Sequence, residues 1–260
     1  MKLKDDVAIV TGAAGGIGEA TAILFAQNGA KVAVVDLNQE GAGRTAKMIT
    51  DVGGSAHAIA GDVSSTADVK RIMQETVQYL GRPTVLINNA GVDLEGRKNI
   101  VDVSEDAFDR TIEVNIKSVW LMMKYVIPHM IEAGRGSIVN TASLAAFFAA
   151  SSAGYCGSKA AIVAMSRVAA IELGSHNIRV NSLCPGATQT PMAAKERKKL
   201  QAAGKPTAVQ MLDRMTVLGR MATPLEMAKA ALFLASDDSS FATGAPFIID
   251  GGWTSMAGVR

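Results

Sequence analysis

Seven short apolar runs, each followed by a longer stretch, leave this chain few folds to choose from. The runs are Val7–Thr11, Lys31–Asp36, Ser55–Asp62, Val85–Asn88, Ser137–Thr141, Arg179–Cys184 and Pro246–Asp250. Several are unbroken Val/Ile/Ala runs, as strands covered on both faces require. Between them, Ile17–Asn28 reads as a helix stopped by Gly29. Ser65 with Asp68 three residues on resembles a cap for a helix reaching Leu80. Thr223-Pro224-Leu225-Glu226 combines a cap, a first-position proline and a third-position glutamate, and starts a helix ending near Ser236. Glu105–Glu132 and Gly154–Gly174 read as long helices. Strand–helix order repeated in this way predicts an α/β fold: a single-domain, Rossmann-like, doubly wound parallel seven-stranded sheet with helices on both faces. Ligands of such sheets bind beyond the carboxyl ends of the strands, where strand order reverses.

The 260 residues suit one large α/β domain, 1–260, better than two small ones. At 48% hydrophobic and 19% charged, the composition excludes intrinsic disorder. The balance of 26 basic and 24 acidic residues gives no bulk attraction to nucleic acid or an anionic membrane. Cys156 and Cys184 cannot build a disulfide framework, and the scattered cysteines and histidines have no metal-ligand spacing. No metal is expected. Met1–Asp6 lacks the apolar core of a secretory signal. The 23 residues from Gly136 to Ser158 carry no charge, but most of the seven polar residues and three glycines of that stretch would be costly in lipid. They read as a buried strand and a small-residue loop, so the chain is expected to be soluble and cytoplasmic. Residues 185–222 are too long for an ordinary connection and read as a substrate-binding loop or lid.

After the first strand comes Thr11-Gly12-Ala13-Ala14-Gly15-Gly16-Ile17-Gly18. Glycines 12, 16 and 18 permit a tight turn and close backbone approach to a pyrophosphate, and the following helix offers free N–H groups and a positive dipole end. The spacing is G-x-x-x-G-x-G, not the common G-x-G-x-x-G. Asp36 ends the second strand, 20 residues after Gly16, where a carboxylate can accept hydrogen bonds from an adenosine ribose diol.

Tyr155 and Lys159 are four apart in a helical segment and share one face. An ammonium nearby lowers a tyrosine's pKa, and a lowered tyrosine is a usable acid/base. Ser143 follows the fifth strand and reaches the same region if its loop folds back.

These motifs together resemble the short-chain dehydrogenase/reductase family, in an NAD-preferring member, over essentially the whole chain. The matching residues are Thr11-Gly12-(x)3-Gly16-Ile17-Gly18, Asp62-Val63, Asn88-Asn89-Ala90-Gly91, Asn115, Ser143, Tyr155-(x)3-Lys159, Pro185-Gly186 and Asp250-Gly251-Gly252. The resemblance implies roles. Tyr155 exchanges a proton with the alcohol or ketone, and Ser143 hydrogen-bonds the substrate oxygen. Lys159 holds the nicotinamide ribose and lowers the Tyr155 pKa. Asn115 bends its helix and holds a water in a proton relay. Asp62 and Val63 contact adenine, and Asn89, Ala90 and Gly91 line the adenosine ribose. Pro185, Gly186, Thr188 and Thr190 cover the nicotinamide carboxamide. The resemblance also implies a homotetramer, with the two long helices at one interface and Trp253 near another.

The cofactor is expected to be NAD, because Asp36 would meet a 2′-phosphate with like charge, and neither Gly15 nor Leu37 supplies a cation. The expected substrate is a small alcohol or ketone, apolar if Leu94, Ala145, Phe147, Phe148, Met192, Met211, Leu212 and Met215 line its pocket. A 3-oxoacyl thioester reductase is the rival within the enzyme class, but commonly uses NADPH, which Asp36 disfavours. A non-catalytic dinucleotide sensor is the rival outside it, and the intact Ser143, Tyr155 and Lys159 argue against it. Cys156 and Cys184 read as core packing, and His57, His129 and His176 as surface residues. Lys195, Arg197, Lys198, Lys199 and Lys205 read as the solvated face of a short helix, with an anionic substrate the other use. Asp93 either borders the pocket or faces water.

Overall fold

The computed structural model describes residues 1–96, 98–204 and 216–256. One parallel sheet carries all seven strands: β1 (Val7–Thr11), β2 (Lys31–Asp36), β3 (Ser55–Ala60), β4 (Val85–Asn88), β5 (Gly136–Thr141), β6 (Ile178–Pro185) and β7 (Pro246–Ile249). Their order is β3-β2-β1-β4-β5-β6-β7. The chain leaves β1 in one direction and resumes from β4 in the other, so the crevice opens between the carboxyl ends of β1 and β4. The predicted Rossmann-like sheet is the one observed.

Alternation along the strands separates two apolar cores. Val7 and Ile9 of β1 join Leu86, Ile138 and Val180 on one face. Ala8 and Val10 join Val34, Ile87, Leu183 and Phe25 on the other. Helices α1 (Gly16–Gln27), α2 (Gln39–Thr50) and α8 (Pro224–Ala235) cover the second face, and α3 (Thr66–Tyr79), α5 (Ser118–Ala133) and α6 (Ala153–Leu173) the first. The two caps read from sequence are made. Ser65 accepts the Asp68 N–H, and Thr223 and Glu226 form a reciprocal capping box at α8.

The structure corrects several boundaries. The single helix expected over Glu105–Glu132 is α4 (Glu105–Ile112) and α5, joined by one π turn, Glu113–Lys117. Asn115 lies in that turn, and its side chain is drawn onto the Val92 backbone. Strand β3 stops at Ala60 instead of Asp62, whose carboxylate bends the chain by accepting the Ser64 N–H. Helix α2 carried no apolar-run signal, because its buried stripe is mostly small residues: Gly41, Ala42, Thr45 and Ala46. The excursion after β6 contains α7 (Pro191–Ala202), capped by Thr190, and exposes Lys195, Arg197, Lys198 and Lys199. Lys205 lies outside the described residues.

Cys184 is buried as expected. Cys156 is only half-buried, its Sγ 3.8 Å from the Phe148 carbonyl. Of the histidines only His176 is exposed. His57 stacks on Tyr79 at 4.2 Å, in reach of Glu75, and His129 is half-buried, because one sits in a strand and one in a packed helix. The charge-free stretch from Gly136 is β5, a short turn and the start of α6. Among the described residues no helix is long and apolar enough to cross a membrane, and no His/Cys/Asp/Glu cluster could hold a metal.

Candidate active site

The crevice between β1 and β4 begins with backbone alone. Gly12 and Gly16 sit at φ +65° and +60°, conformations that L side chains rarely adopt. A Cβ at Gly12 would fall 2.9 Å from the Ala90 Cα, and one at Gly18 2.1 Å from the Gly12 carbonyl oxygen. The loop therefore closes tightly on the segment after β4 only with glycine at these positions. No side chain caps α1, whose first N–H groups stay free for an anion. Asn89 binds the loop by donating from Nδ2 to the carbonyls of Thr11 and Gly12, while the Thr11 hydroxyl accepts the N–H groups of Asn89 and Ala90.

Asp36 is already oriented at the end of β2. Its two oxygens accept the Ala14 and Asn38 N–H groups, each at 2.9 Å. Leu37 beside it is exposed. Sequence neighbours supply no cation here, but α2 does: the Arg44 guanidinium donates to the Ala14 carbonyl at 3.3 Å. Nothing in local spacing pointed to Arg44, which arrives through the packing of α2 on the glycine loop.

Asp62 lies after β3 with Val63 buried beside it. Burial would raise the Asp62 pKa, but hydrogen bonds from Ser64 and Arg110 outweigh it and hold the carboxyl below its ordinary range. Arg110, from α4, binds Asp62 at 2.7 Å and Ser64 at 2.9 Å. Sequence reading missed this partner, 48 residues away.

Ser143, Tyr155, Lys159 and Asn115 converge beyond β4 and β5. Ser152 starts α6 by accepting the Tyr155 N–H. Burial pushes the Tyr155 hydroxyl up to about 12; the Ser143 hydroxyl beside it works the other way, and the Asp93 charge adds to the rise. Lys159 is buried one turn on and donates to the Thr141 carbonyl at 2.9 Å. Burial lowers it to about 8. The expected lowering of Tyr155 by Lys159 is thus not seen in the free chain. Desolvation dominates both groups, and the ammonium sits 5.7 Å from the centre of the phenol ring. Asn115 accepts the Val92 N–H and donates to the Val92 carbonyl and Ser158 hydroxyl. A Cβ on Gly91 would lie 3.3 Å from both Asn115 Oδ1 and Lys159 Nζ, so the backbone passes directly over both polar ends.

The loop after β6 closes the other side. Gly186 allows contact with Asp250, whose Cα a Cβ would approach to 2.6 Å. Thr188 is buried and donates to the Gly186 carbonyl, and Thr190 caps α7. Pro191 and Thr190 rest against Gly16, so Pro185–Thr190 spans from the β6 end to the glycine loop. Asp93 borders the site, held by the Ser151 hydroxyl at 2.5 Å and the Gly96 N–H at 3.0 Å. Ala145 is buried there, while Leu94, Phe147 and Met192 are partly open and Phe148 is half-buried. Met211, Leu212 and Met215 lie outside the described residues.

A glycine cradle at a free helix N-terminus, an acidic strand end and a tyrosine–lysine pair across one crevice define a dinucleotide-binding oxidoreductase. The family model described as enoyl-(acyl carrier protein) reductase matches residues 12–254. An uncharacterized oxidoreductase of Bacillus subtilis, YxbG, is 41% identical over 96% of this chain and 92% of its own. The cyclohexanol dehydrogenase of an Acinetobacter species is 34% identical over 98% of this chain and 97% of its own. A 3-ketoacyl-(acyl-carrier-protein) reductase of Brucella melitensis, solved in complex with NADH, superposes with a TM-score of 0.87 at 36% identity, covering 97% of this chain and 99% of that one. The chain belongs to the short-chain dehydrogenase/reductase family. It is an oxidoreductase acting on CH–OH groups, and its family binds a nicotinamide dinucleotide.

Proposed function

We propose that the chain, acting as one domain over 1–260, interconverts a secondary alcohol and its ketone with NAD(H). The observation that carries this reading is the convergence of Ser143, Tyr155 and Lys159 beside a glycine cradle whose ribose end is the oriented Asp36 carboxylate. The dinucleotide, when bound, supplies the hydride acceptor or donor. The chain does the rest. Gly12, Gly16, Ile17 and Gly18 hold the pyrophosphate against the α1 N-terminus. Asp36 and Leu37 border the adenosine ribose. Asp62 and Val63 face adenine, with Arg110 fixing the Asp62 carboxylate. Asn89, Ala90 and Gly91 floor the crevice, and Pro185, Gly186, Thr188 and Thr190 cover it.

Ser143 holds the substrate oxygen against Tyr155, which passes it a proton or takes one. A hydroxyl held near 12 stays protonated at neutral pH and so is present as a donor to a ketone, though a weaker acid than an ordinary phenol. To accept from an alcohol it needs added positive charge nearby, which Lys159 and an oxidised nicotinamide ring together provide. Asn115 keeps the Val92 backbone and Ser158 in register behind Lys159 for a proton relay. The apolar side chains of Leu94, Ala145, Phe147, Phe148 and Met192 favour an apolar substrate. A cytoplasmic homotetramer remains our reading of the assembly. Trp120, Val168 and Ile171 stand exposed on α5 and α6 and support one interface there.

A 2′-phosphate would bring like charges together at Asp36, which costs several kcal/mol. NAD should therefore be preferred on the order of a hundredfold. Comparing kcat/KM for NAD and NADP across a panel of secondary alcohols tests this; equal values would refute the reading of Asp36. The second reading, a 3-oxoacyl thioester reductase, draws support from the Brucella neighbour. It predicts faster turnover of a 3-oxoacyl thioester than of any simple ketone.

A further inference from the structure

Three side chains fasten the segment after β4 to the elements around Tyr155. Asn115 binds both backbone groups of Val92, Asp93 takes the Ser151 hydroxyl, and Glu95 takes the Gly154 N–H at 3.2 Å. The third is the least expected. Glu95 is 3% exposed, and its Oε1 has no hydrogen-bond partner among the described residues. A buried carboxylate with one oxygen unpartnered is costly. Part of that cost is offset by its seat on the first turn of α6, at the positive end of the helix.

Residue 154 is shaped to that carboxylate. A Cβ there would fall 2.1 Å from Glu95 Oε1 and 2.9 Å from the Phe108 ring. Behind this contact lies a cavity of about 350 Å³, lined by Glu95, Ile100, Val103, Phe108 and Ala153 among others. On that side the first turn of α6 meets the Phe108 ring and the Glu95 carboxylate, and the carboxylate is the group bonded to the Gly154 amide. Tyr155 is the next residue along.

We infer that Glu95 is a positioning residue for the reaction: seated on the Gly154 amide, it sets where the Tyr155 hydroxyl stands relative to the segment that borders the cofactor crevice. The inference rests on Tyr155 as the proton carrier. Misplacement by about 1 Å costs up to a hundredfold in rate. Glu95→Ala should lower kcat on the order of tenfold to a hundredfold, with NADH affinity, read by fluorescence titration, unchanged. Glu95→Gln keeps an acceptor for Gly154 and places a neutral group where an orphaned charge stood, so it should recover most of the lost kcat. Gly154→Ala should lose kcat as Glu95→Ala does, and the double variant should be no worse than Gly154→Ala alone.

Parent-like kcat in a folded Glu95→Ala or Gly154→Ala overturns the inference. So does a matching loss of kcat and NADH affinity, or a glutamine variant as poor as the alanine one. If Glu95→Ala does not fold, Glu95→Gln and Gly154→Ala decide. Tyr155→Phe run alongside separates the two levels. An active Tyr155→Phe sinks the proton-carrier reading, whereas an inactive one with parent-like Glu95→Ala sinks only the role of Glu95.

Discussion

The two halves of the crevice are built from opposite materials. On the β1–β2 side, recognition is backbone: glycines at positive φ, free N–H groups and one carboxylate oriented by two N–H donors. On the β4–β5 side it is desolvated titratable side chains, half-buried Tyr155 held up to about 12 and buried Lys159 down to about 8. The first half needs only shape, which folding supplies once. The second stores unfavourable burial that a bound ligand can relieve, so it should give up stability for function.

The sharpest break between the halves is Tyr155→Phe. Turnover should fall by about 10²–10⁴-fold, the usual worth of a positioned acid/base, or roughly 3–5 kcal/mol of barrier. Dinucleotide affinity should not change, because the phenol hydroxyl lies on the other half. Steady-state kinetics with a binding titration reads both, and a fall in affinity of similar size would erase the division.

Next in size is a glycine contrast. Gly18→Ala drives a Cβ against the Gly12 carbonyl, where backbone must move. Overpacking of this kind costs about 3 kcal/mol or more, roughly 6–12 °C in melting temperature for a chain of this length, together with dinucleotide binding. Gly157→Ala, in the exposed face of α6, has no atom within 4 Å of the new Cβ. It should be neutral or stabilise by about 0.5–1 kcal/mol through helix propensity. Thermal melts of the pair decide. Equal losses would mean that glycine is not what distinguishes the two halves.

Lys159→Met probes the stored cost. Burial holds the folded ammonium at about 8 against an ordinary 10.5. Between those values the unfolded chain binds a proton that the folded chain does not, so this group makes stability rise with pH across that window. Below about 8 the full penalty stands, about 3 kcal/mol at most. Losing the charge-assisted hydrogen bond to Thr141 returns about 1.5–3 kcal/mol of it. The methionine variant should therefore be at least as stable as the parent at neutral pH, by up to about 1.5 kcal/mol, any advantage shrinking as pH approaches 10.5, while turnover collapses. Denaturant melts across pH read the sign, and a destabilised variant at neutral pH would show that the ammonium is not held at a cost.

What could be read without coordinates follows the same division. The strands, the glycine loop and Asp36 were legible because backbone requirements leave local marks: continuous apolar runs, glycines at fixed offsets and an acidic strand end. Ser143, Tyr155 and Lys159 were legible as a pattern, but not their electrostatics, since desolvation depends on what the fold lays over them. Arg110 on Asp62 and Glu95 on Gly154 span 48 and 59 residues, distances no local spacing encodes. The π turn at Asn115 was legible only as an implied bend. Its register follows from the bonds to Val92, which exist only after β4 is in place.

The smallest effect belongs to Arg44, and it qualifies the backbone half. Its guanidinium donates to the Ala14 carbonyl while Asp36 accepts the Ala14 N–H, so a cation and an anion flank the same peptide at the ribose end. The cation is exposed and screened, and such charges are worth about 0.2–1 kcal/mol. It should temper the repulsion between Asp36 and a 2′-phosphate without removing it. Arg44→Ala should therefore sharpen the preference for NAD over NADP by about twofold to fivefold, chiefly by weakening NADP. The difference should fade as salt rises, because the Debye length shrinks from about 10 Å at 0.1 M to about 3 Å at 1 M. The kcat values should stay put, since nothing near Tyr155 changes. A ratio of kcat/KM for the two dinucleotides that is unmoved at low salt would leave Asp36 as the sole electrostatic determinant; a changed kcat would couple the two halves that the other variants hold apart.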